Sequence, residues 1–433
     1  LLSAIPNLSI IAAGLARTAD PEGFLAQLRR EASGLGFAHE VIAVPPDARG
    51  YGHELRFGLR QARAPYVITV DPDFSGAMSF LADLWARRDD AEVIVASRYV
   101  EGSRASMPPA RGTGSRLLNL AFRRGLSLGI SDGSSAIRLY HADVVNGLHL
   151  RAHDYDILQE VLVRAYAEGW RVLEIPLRYA PSPAVASKAH LALVSAYART
   201  FWELWKLRNS IAAADYDYRA HDSVIPLQRY WQRRRYRHLT ELVAGEGPVL
   251  DVGCGSSHVI GALPHGSIVL DVLMNKLRFA RRFRVPRVRA SGFALPFADA
   301  SFPCVLCSQV IEHVPKAPSM IDELCRVLQP GGRLVLGTPD YDRWEWVWIE
   351  KAYGIAAPGG YADEHISHYT RKGLLDEFAR RGYAHEATRY ILRGELILAF
   401  RKPGRVGARD QQILRRTMLN RAESERSSRA AVD

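Results

Sequence analysis

Val249-Leu-Asp-Val-Gly-Cys-Gly-Ser256 is an apolar, β-prone run that ends in Asp251 and then turns on two glycines, Gly253 and Gly255. Glycine lets the backbone swing close to a ligand where a Cβ would clash. Twenty residues after Asp251 a second such run, Ser267-Ile-Val-Leu-Asp271, ends in another carboxylate. A glycine turn after one strand and an acid after the next is the pattern by which a doubly wound α/β sheet holds an adenosine ribose. Strand-like and helix-like segments alternate around it. Strands are expected near 248–252, 267–271, 303–308 and 333–338, and helices near 274–283, 316–327 and 371–380.

The first half of the chain alternates in the same way. Leu8–Ala13, Glu40–Val44, Tyr66–Asp71 and Val93–Ser97 read as strands, with helices over Pro21–Ala32, His53–Ala62 and Met78–Trp85. Such alternation predicts a parallel α/β sheet. Pro181-Ser-Pro183 interrupts the pattern. Ser187–Asn209 then spaces Leu191, Val194, Ala198, Phe201 and Trp205 as a helix does, flanked by Lys188, Arg199, Lys206 and Arg208. This basic helix, with Trp202 and Trp205, fits a membrane interface; packing on the body of the protein is the other reading. Ala212–Ser223 is polar and reads as a linker, Gln228–Val243 as a lead-in helix, and Val406–Asp433 as a charged, loosely structured tail.

The chain's 433 residues exceed what one core serves and imply two domains. A formal charge of +11 favours anionic partners. The four cysteines all fall in the second half. Cys304 and Cys307 lie three apart on an expected strand, hence on opposite faces, and a shared metal is not expected of them. Reduced, structural thiols suit a cytoplasmic setting. No apolar run reaches 18 residues, and no basic start of a secretory leader precedes the first apolar stretch, so neither a spanning helix nor a leader is expected. The basic residues are scattered and match no nucleic-acid-binding pattern, so no nucleic-acid partner is expected.

Four motifs stand in order in the second half. They are Val249–Gly255, Ala294-Leu-Pro-Phe297 with Ser301-Phe302, Ser308-Gln-Val-Ile-Glu-His313, and Leu328-Gln-Pro-Gly-Gly-Arg-Leu-Val335. Together they resemble a class I S-adenosylmethionine-dependent methyltransferase over about 155 residues. The resemblance implies that Asp251 and the Gly253-Cys254-Gly255 turn face the cofactor's amino acid and sugar, and that Asp271 bonds the ribose hydroxyls. It also implies Leu295 beside the adenine, Ser291 where relatives carry an adenine-binding acid, and Gln309 facing cofactor and acceptor. His313 and His365 are the candidate proton-handling residues, with His368 nearby; Asp363–Thr370 resembles the segment that reaches over the acceptor. The third glycine of the usual turn is Ser257 here.

In the first half, Tyr66-Val-Ile-Thr-Val-Asp-Pro-Asp73 ends a strand in Asp-x-Asp. With Arg49-Gly-Tyr-Gly52, Ala96-Ser-Arg-Tyr99, Asp132-Gly-Ser-Ser-Ala-Ile-Arg-Leu-Tyr140, Glu160 and Ser187-Lys188, it resembles family 2 glycosyltransferases of the polyprenyl-phosphate sugar synthase type. The resemblance implies a GT-A fold, with Asp71 and Asp73 holding Mg²⁺ or Mn²⁺ and the diphosphate of a nucleotide sugar. Asp73 would be catalytic. Arg98, Arg138 and Lys188 would meet the phosphate of a lipid-linked acceptor. The family's Asp-Asp-Gly-Ser is absent; Val44-Pro-Pro-Asp47 stands there.

The expected architecture is therefore α/β with two Rossmann-like domains: 1–210 like the glycosyltransferase, 211–245 a linker and lead-in helix, 246–403 the methyltransferase, and 404–433 a tail. Two functions fit. One is a bifunctional enzyme of glycan or glycolipid assembly that transfers a sugar to a polyprenyl phosphate and a methyl group to a saccharide. The other is a methyltransferase whose first domain is a non-catalytic binding or membrane-docking module. Either would work in the cytoplasm, free or peripheral to the inner face of the membrane.

Overall fold

A computed structural model describes residues 5–47, 49–72, 74–75, 78–105, 109–181, 191–317, 319–356 and 365–404. Asp73, Lys188 and the tail lie outside these residues. The chain forms two compact units. One is built mainly from residues up to Arg229, with Leu273–Arg282. The other is built from Tyr230–Val272, Phe283–Glu350 and the residues from 365 on. Among the described residues no helix is long and apolar enough to cross a membrane.

The first unit contains strands β1 (Leu8–Ala12), β2 (His39–Ala43), β3 (Tyr66–Val70), β4 (Phe74–Ser75), β5 (Val93–Ser97), β6 (Arg104–Ala105), β7 (Arg138–His141), β8 (Val172–Pro176) and β9 (Arg178–Pro181). Its main sheet has the order β2-β1-β3-β7-β5-β8, and β4, β9 and β6 form a small second sheet. β1 pairs parallel with both β2 and β3, whereas β7 runs antiparallel to its neighbours. The expected parallel sheet is thus mixed. All of β1 and β5 is buried, as strands covered on both faces must be.

The chain leaves β1 for β2 on one side and reaches β3 on the other. The crevice at the ends of β1 and β3 is therefore a topological switch point, where α/β sheets bind ligands. Asp71 follows β3 directly into it.

The stretch expected as a linker belongs to the first unit. Ala213 and Ala214 are fully buried and Tyr216–His221 is helical. Arg208, one of the cations flanking the basic helix, is fully buried as well. Its guanidinium donates to both carboxylate oxygens of Asp215 at 2.6 and 2.8 Å, and to the Leu126 carbonyl at 3.2 Å. Composition suggested solvent exposure because the ion pair that neutralises these two charges only forms in the fold.

The second unit carries β10 (Val249–Val252), β11 (Ile268–Asp271), β12 (Arg287–Arg289), β13 (Phe302–Ser308), β14 (Leu328–Pro339), β15 (Ala384–Ile391) and β16 (Glu395–Arg401), in the order β12-β11-β10-β13-β14-β16-β15. The strands from β12 to β14 are parallel, and β16 is antiparallel to both its neighbours. The switch point lies between β10 and β13. The hairpin of β15 and β16 was not anticipated: Glu395 in an otherwise apolar strand obscured it. That carboxylate is fully buried and is held by Arg235 at 2.7 Å and by the Trp231 indole N–H, which fastens the lead-in helix Pro226–Val243 to the sheet.

Cys304 and Cys307 point to opposite faces of β13 and join different apolar clusters. Burial pushes the Cys304 thiol up to about 12 and Cys307 well above its ordinary value, so both stay protonated and unreactive.

Asp215→Ala is expected to destabilise the first unit by about 3–5 kcal/mol, because it strands the Arg208 charge in the interior. Replacing both partners with apolar residues should cost less. Urea unfolding of the two variants, followed by tryptophan fluorescence, compares them directly.

Candidate functional site

The second unit builds its site at the carboxyl ends of β10, β11 and β13. Gly253 and Gly255 take left-handed φ values of +74° and +55°. A Cβ on Gly253 would sit 2.3 Å from the Val310 side chain, so the turn needs glycine on two counts. The amides of Gly253 and Cys254 donate to the Leu270 carbonyl, at 2.8 and 3.1 Å. Gly255 N–H donates to Asp271 Oδ2 at 3.0 Å. The glycine turn and the second acid, read separately in the sequence, are thus one hydrogen-bonded unit. Ser257, in place of the usual third glycine, caps the short helix His258–Ala262 by accepting from the Val259 amide.

Asp251 and Asp271 are both buried. Burial, and secondarily the Asp271 charge, pushes the Asp251 carboxyl up to about 7. A pair of buried acids is positioned to receive hydroxyl or ammonium donors of a ligand. Leu295 is buried against the sheet, and its amide donates to Glu323 at 2.7 Å. Ser291 is exposed, and its hydroxyl accepts the Phe293 amide at 3.2 Å, a local turn rather than a deep contact. Gln309 departs from β13 with φ +60°, an uncommon geometry for its residue type. Its side-chain Nε2 and the neighbouring Ser308 hydroxyl are buried without hydrogen-bond partners. Buried orphan polar atoms of this kind call for a bound polar group. Two acids, a left-handed glycine turn and these orphans fit S-adenosylmethionine.

Beyond Gln309, a short helix Ile311–His313 faces the segment starting at His365. The amides of Ile366 and Ser367 both donate to the Glu312 carbonyl at 2.9 Å, and the Ser367 hydroxyl donates to the Val314 carbonyl at 2.7 Å. These bonds bring the His313 and His365 rings to 4.9 Å between centroids. His365 Nδ1 lies 2.8 Å from the Tyr341 hydroxyl and 3.0 Å from Glu350 Oε1. Burial, against the pull of Glu350, lowers its pKa below the usual imidazole value. His368 instead stacks on Tyr341 at 4.0 Å and is exposed. Trp346 is nearly buried beside His365, while Trp344 and Trp348 are exposed. Sequence reasoning passed over Glu312, a fully buried carboxylate whose pKa burial raises to about 8; only its place between an apolar Ile and a candidate His hinted at it.

In the first unit, Asp71 is buried at the switch point and is paired with Arg17 at 2.9 Å. Arg17 also stands over the ring of Tyr155 at 4.5 Å, which stacks on Tyr51 at 4.4 Å. Glu54 accepts from the amides of Gly14 at 2.7 Å and Asp47 at 3.1 Å, tying together the loops after β1 and β2. Asp47 is engaged locally with Arg49 at 2.6 Å.

The guanidinium of Arg138, expected to meet an acceptor phosphate, is fully buried and donates to the carbonyls of Ser135, Leu158 and Gly133 at 2.6, 2.7 and 2.8 Å, which holds these loops together. Arg98 forks onto Asp132 at 2.7 and 2.8 Å. Burial would raise the Asp132 carboxyl, but the Arg98 bonds hold it below its ordinary value. Arg98 also lines a cavity of about 390 Å³ with Tyr99, Asn119, Arg116 and Arg123. Arg116 and Arg123 went unnoticed in the sequence; their spacing with Asn119 places all three on one face of the helix Pro109–Gly125.

With that geometry in place, residues 250–336 match the family described as a methyltransferase domain. The chain is 32% identical over 150 residues to an uncharacterized methyltransferase of Mycobacterium leprae, covering 33% of this chain and 46% of that one. It is 30% identical over 175 residues to the malonyl-[acyl-carrier protein] O-methyltransferase of Methylococcus capsulatus, covering 38% of this chain and 61% of that one. It thus spans less than two thirds of either relative. Among solved structures, a possible histamine N-methyltransferase of Thermotoga maritima aligns over 41% of this chain and 91% of its own, at 17% identity and a TM-score of 0.36. The second unit carries a class I S-adenosylmethionine-dependent methyltransferase domain. The first unit is an α/β domain.

The raised Asp251 sets a pH dependence. In the unfolded chain this acid ionises near its ordinary value of about 4, whereas in the ligand-free fold it does so near 7. Its contribution to stability is complete at low pH and is lost as pH rises through the folded value. Asp251→Asn should therefore gain in melting temperature relative to wild type between pH 5 and pH 8, measured without cofactor.

Proposed function

We propose that this chain methylates a saccharide or a related acceptor, and that its first unit holds a phosphorylated ligand for that purpose. The observation that carries the methyl-transfer reading is the Gly253–Gly255 turn bonded to Asp271 at a switch point, with orphan polar atoms on Ser308 and Gln309 beside it. S-adenosylmethionine, when bound, supplies an already activated methyl group. Asp271 would hold the ribose hydroxyls, Leu295 the adenine, and the glycine turn the amino-acid portion. While no metal occupies them, His313 and His365 would take the proton of an acceptor hydroxyl.

For the first unit, the arginine-lined cavity supports an anionic ligand such as a lipid-linked phosphate or a nucleotide sugar. The binding-module reading is favoured by Arg17, which satisfies Asp71 where a divalent ion would otherwise be needed. A working glycosyltransferase with a GT-A fold, metal on Asp71 and Asp73, and a polyprenyl phosphate acceptor is the second reading. It draws on the position of Asp71 at the end of the largely buried strand β3, beside the parallel strand β1.

Calorimetric titration separates these readings. S-adenosylhomocysteine is expected to bind wild type, and Asp271→Ala to weaken it at least tenfold; no binding to wild type would refute the methyltransferase reading. GDP- or UDP-sugar binding that requires Mn²⁺ and disappears in Asp71→Ala would establish the glycosyltransferase reading. Metal-independent anion binding, lost in a variant with Arg116 and Arg123 changed to Ala, would establish the module.

A further inference from the structure

We infer that the second unit contains a transition-metal site formed by Glu312, His313 and His365. One ligand atom from each of these side chains lies within 4.8 Å of the others. The site is distinct from the glycine turn and its acids, and belongs to the face over which His365 is stitched by the amides of Ile366 and Ser367.

Glu312 supplies the second, independent observation. Its side chain is fully buried, and its nearest polar neighbours, the Thr338 hydroxyl and its own backbone, form no hydrogen bond of good geometry to either carboxylate oxygen. A buried acid with so little hydrogen bonding avoids a costly charge by keeping its proton, and a coordinated cation is the group that would stabilise its ionised form there.

The ligand set points to a particular chemistry. Two imidazoles and one carboxylate suit Zn²⁺ or a related divalent transition metal, not Mg²⁺ or Ca²⁺, which take oxygen ligands. Three protein ligands would leave a fourth position open to an acceptor oxygen. Tetrahedral Zn²⁺ with bonds near 2.0–2.1 Å puts its ligand atoms about 3.3 Å apart. The three side chains therefore have to close by up to about 1.5 Å, within the reach of χ rotations.

Support around the ligands is of the kind metal-binding histidines use. The His365 ring is braced at Nδ1 by Glu350 and Tyr341, a carboxylate and a phenol that fix its orientation. Trp346 packs beside it at 5.9 Å between ring centroids and walls the site with apolar surface.

The test uses the full chain, stripped with chelator and dialysed, and titrated with Zn²⁺ in competition with a chromophoric chelator. One Zn²⁺ per chain is expected. Glu312→Gln, His313→Ala and His365→Ala should each weaken it by at least about tenfold. His368→Ala, outside the triad, should leave affinity unchanged, and thermal melting verifies that each variant is folded. Because Glu312→Gln keeps the buried shape, it guards against simple misfolding of the alanine variants. Co²⁺ should give visible absorption bands that vanish in His365→Ala. Stoichiometry near zero, affinity unaffected in both histidine variants, or an equal loss in His368→Ala would overturn the site. The readout is metal binding, so it stands or falls independently of any methyl acceptor.

Discussion

Two carboxylates end neighbouring parallel strands, Asp251 on β10 and Asp271 on β11, and both are buried. Placing two acids side by side in the interior is unfavourable unless something relieves them. The Gly255 amide donates to Asp271, and Asp251 is driven toward the protonated form. The left-handed glycine turn is therefore more than a space-saving device. It presents an amide to one acid while allowing the pair to coexist at the switch point of the sheet. The strand order, the chain reversal between β10 and β13, and the approach of Gln309 all converge on this pair.

The first unit meets a comparable requirement differently. Its acid at the switch point, Asp71, is neutralised from within by Arg17, itself laid over Tyr155. Arg98 and Asp132 repeat the device, as do Arg208 and Asp215. In each case a guanidinium, Arg98 among them with its expected phosphate role, is paired with a buried carboxylate. Such pairs are expensive to break but contribute little net stability relative to apolar replacements. They hold loops and helix ends in one arrangement, and in the cavity that Arg98 also lines, further basic surface comes from Arg116 and Arg123.

Much of the methyltransferase domain was legible because its signals are local. A glycine turn after Asp251, an acid at Asp271 and the alternation of apolar runs fix strand ends within a residue or two: β10, β11 and β13 begin and end close to where periodicity put them. The opposite facing of Cys304 and Cys307 likewise followed from a two-residue period. The hairpin of β15 and β16 was not legible, since Glu395 breaks the apolar reading of a strand whose charge is cancelled by Arg235 from a helix 160 positions away. The surroundings of Arg138 were illegible for the same reason, its donors being engaged by carbonyls that only the fold brings near.

The sequence by itself determined the α/β class, the two-part organisation, and the glycine-and-acid constellation, because each is written in residues that neighbour one another or recur at a fixed period. Only the tertiary structure decided which charges face a ligand and which face each other. It alone brought Glu312 and His313 against His365, and assigned the stretch after Asn209 to the first unit. Burial and pairing are properties of the packed interior, where a charge is governed by whatever side chain or carbonyl lies within a few ångströms, and no local period encodes those neighbours.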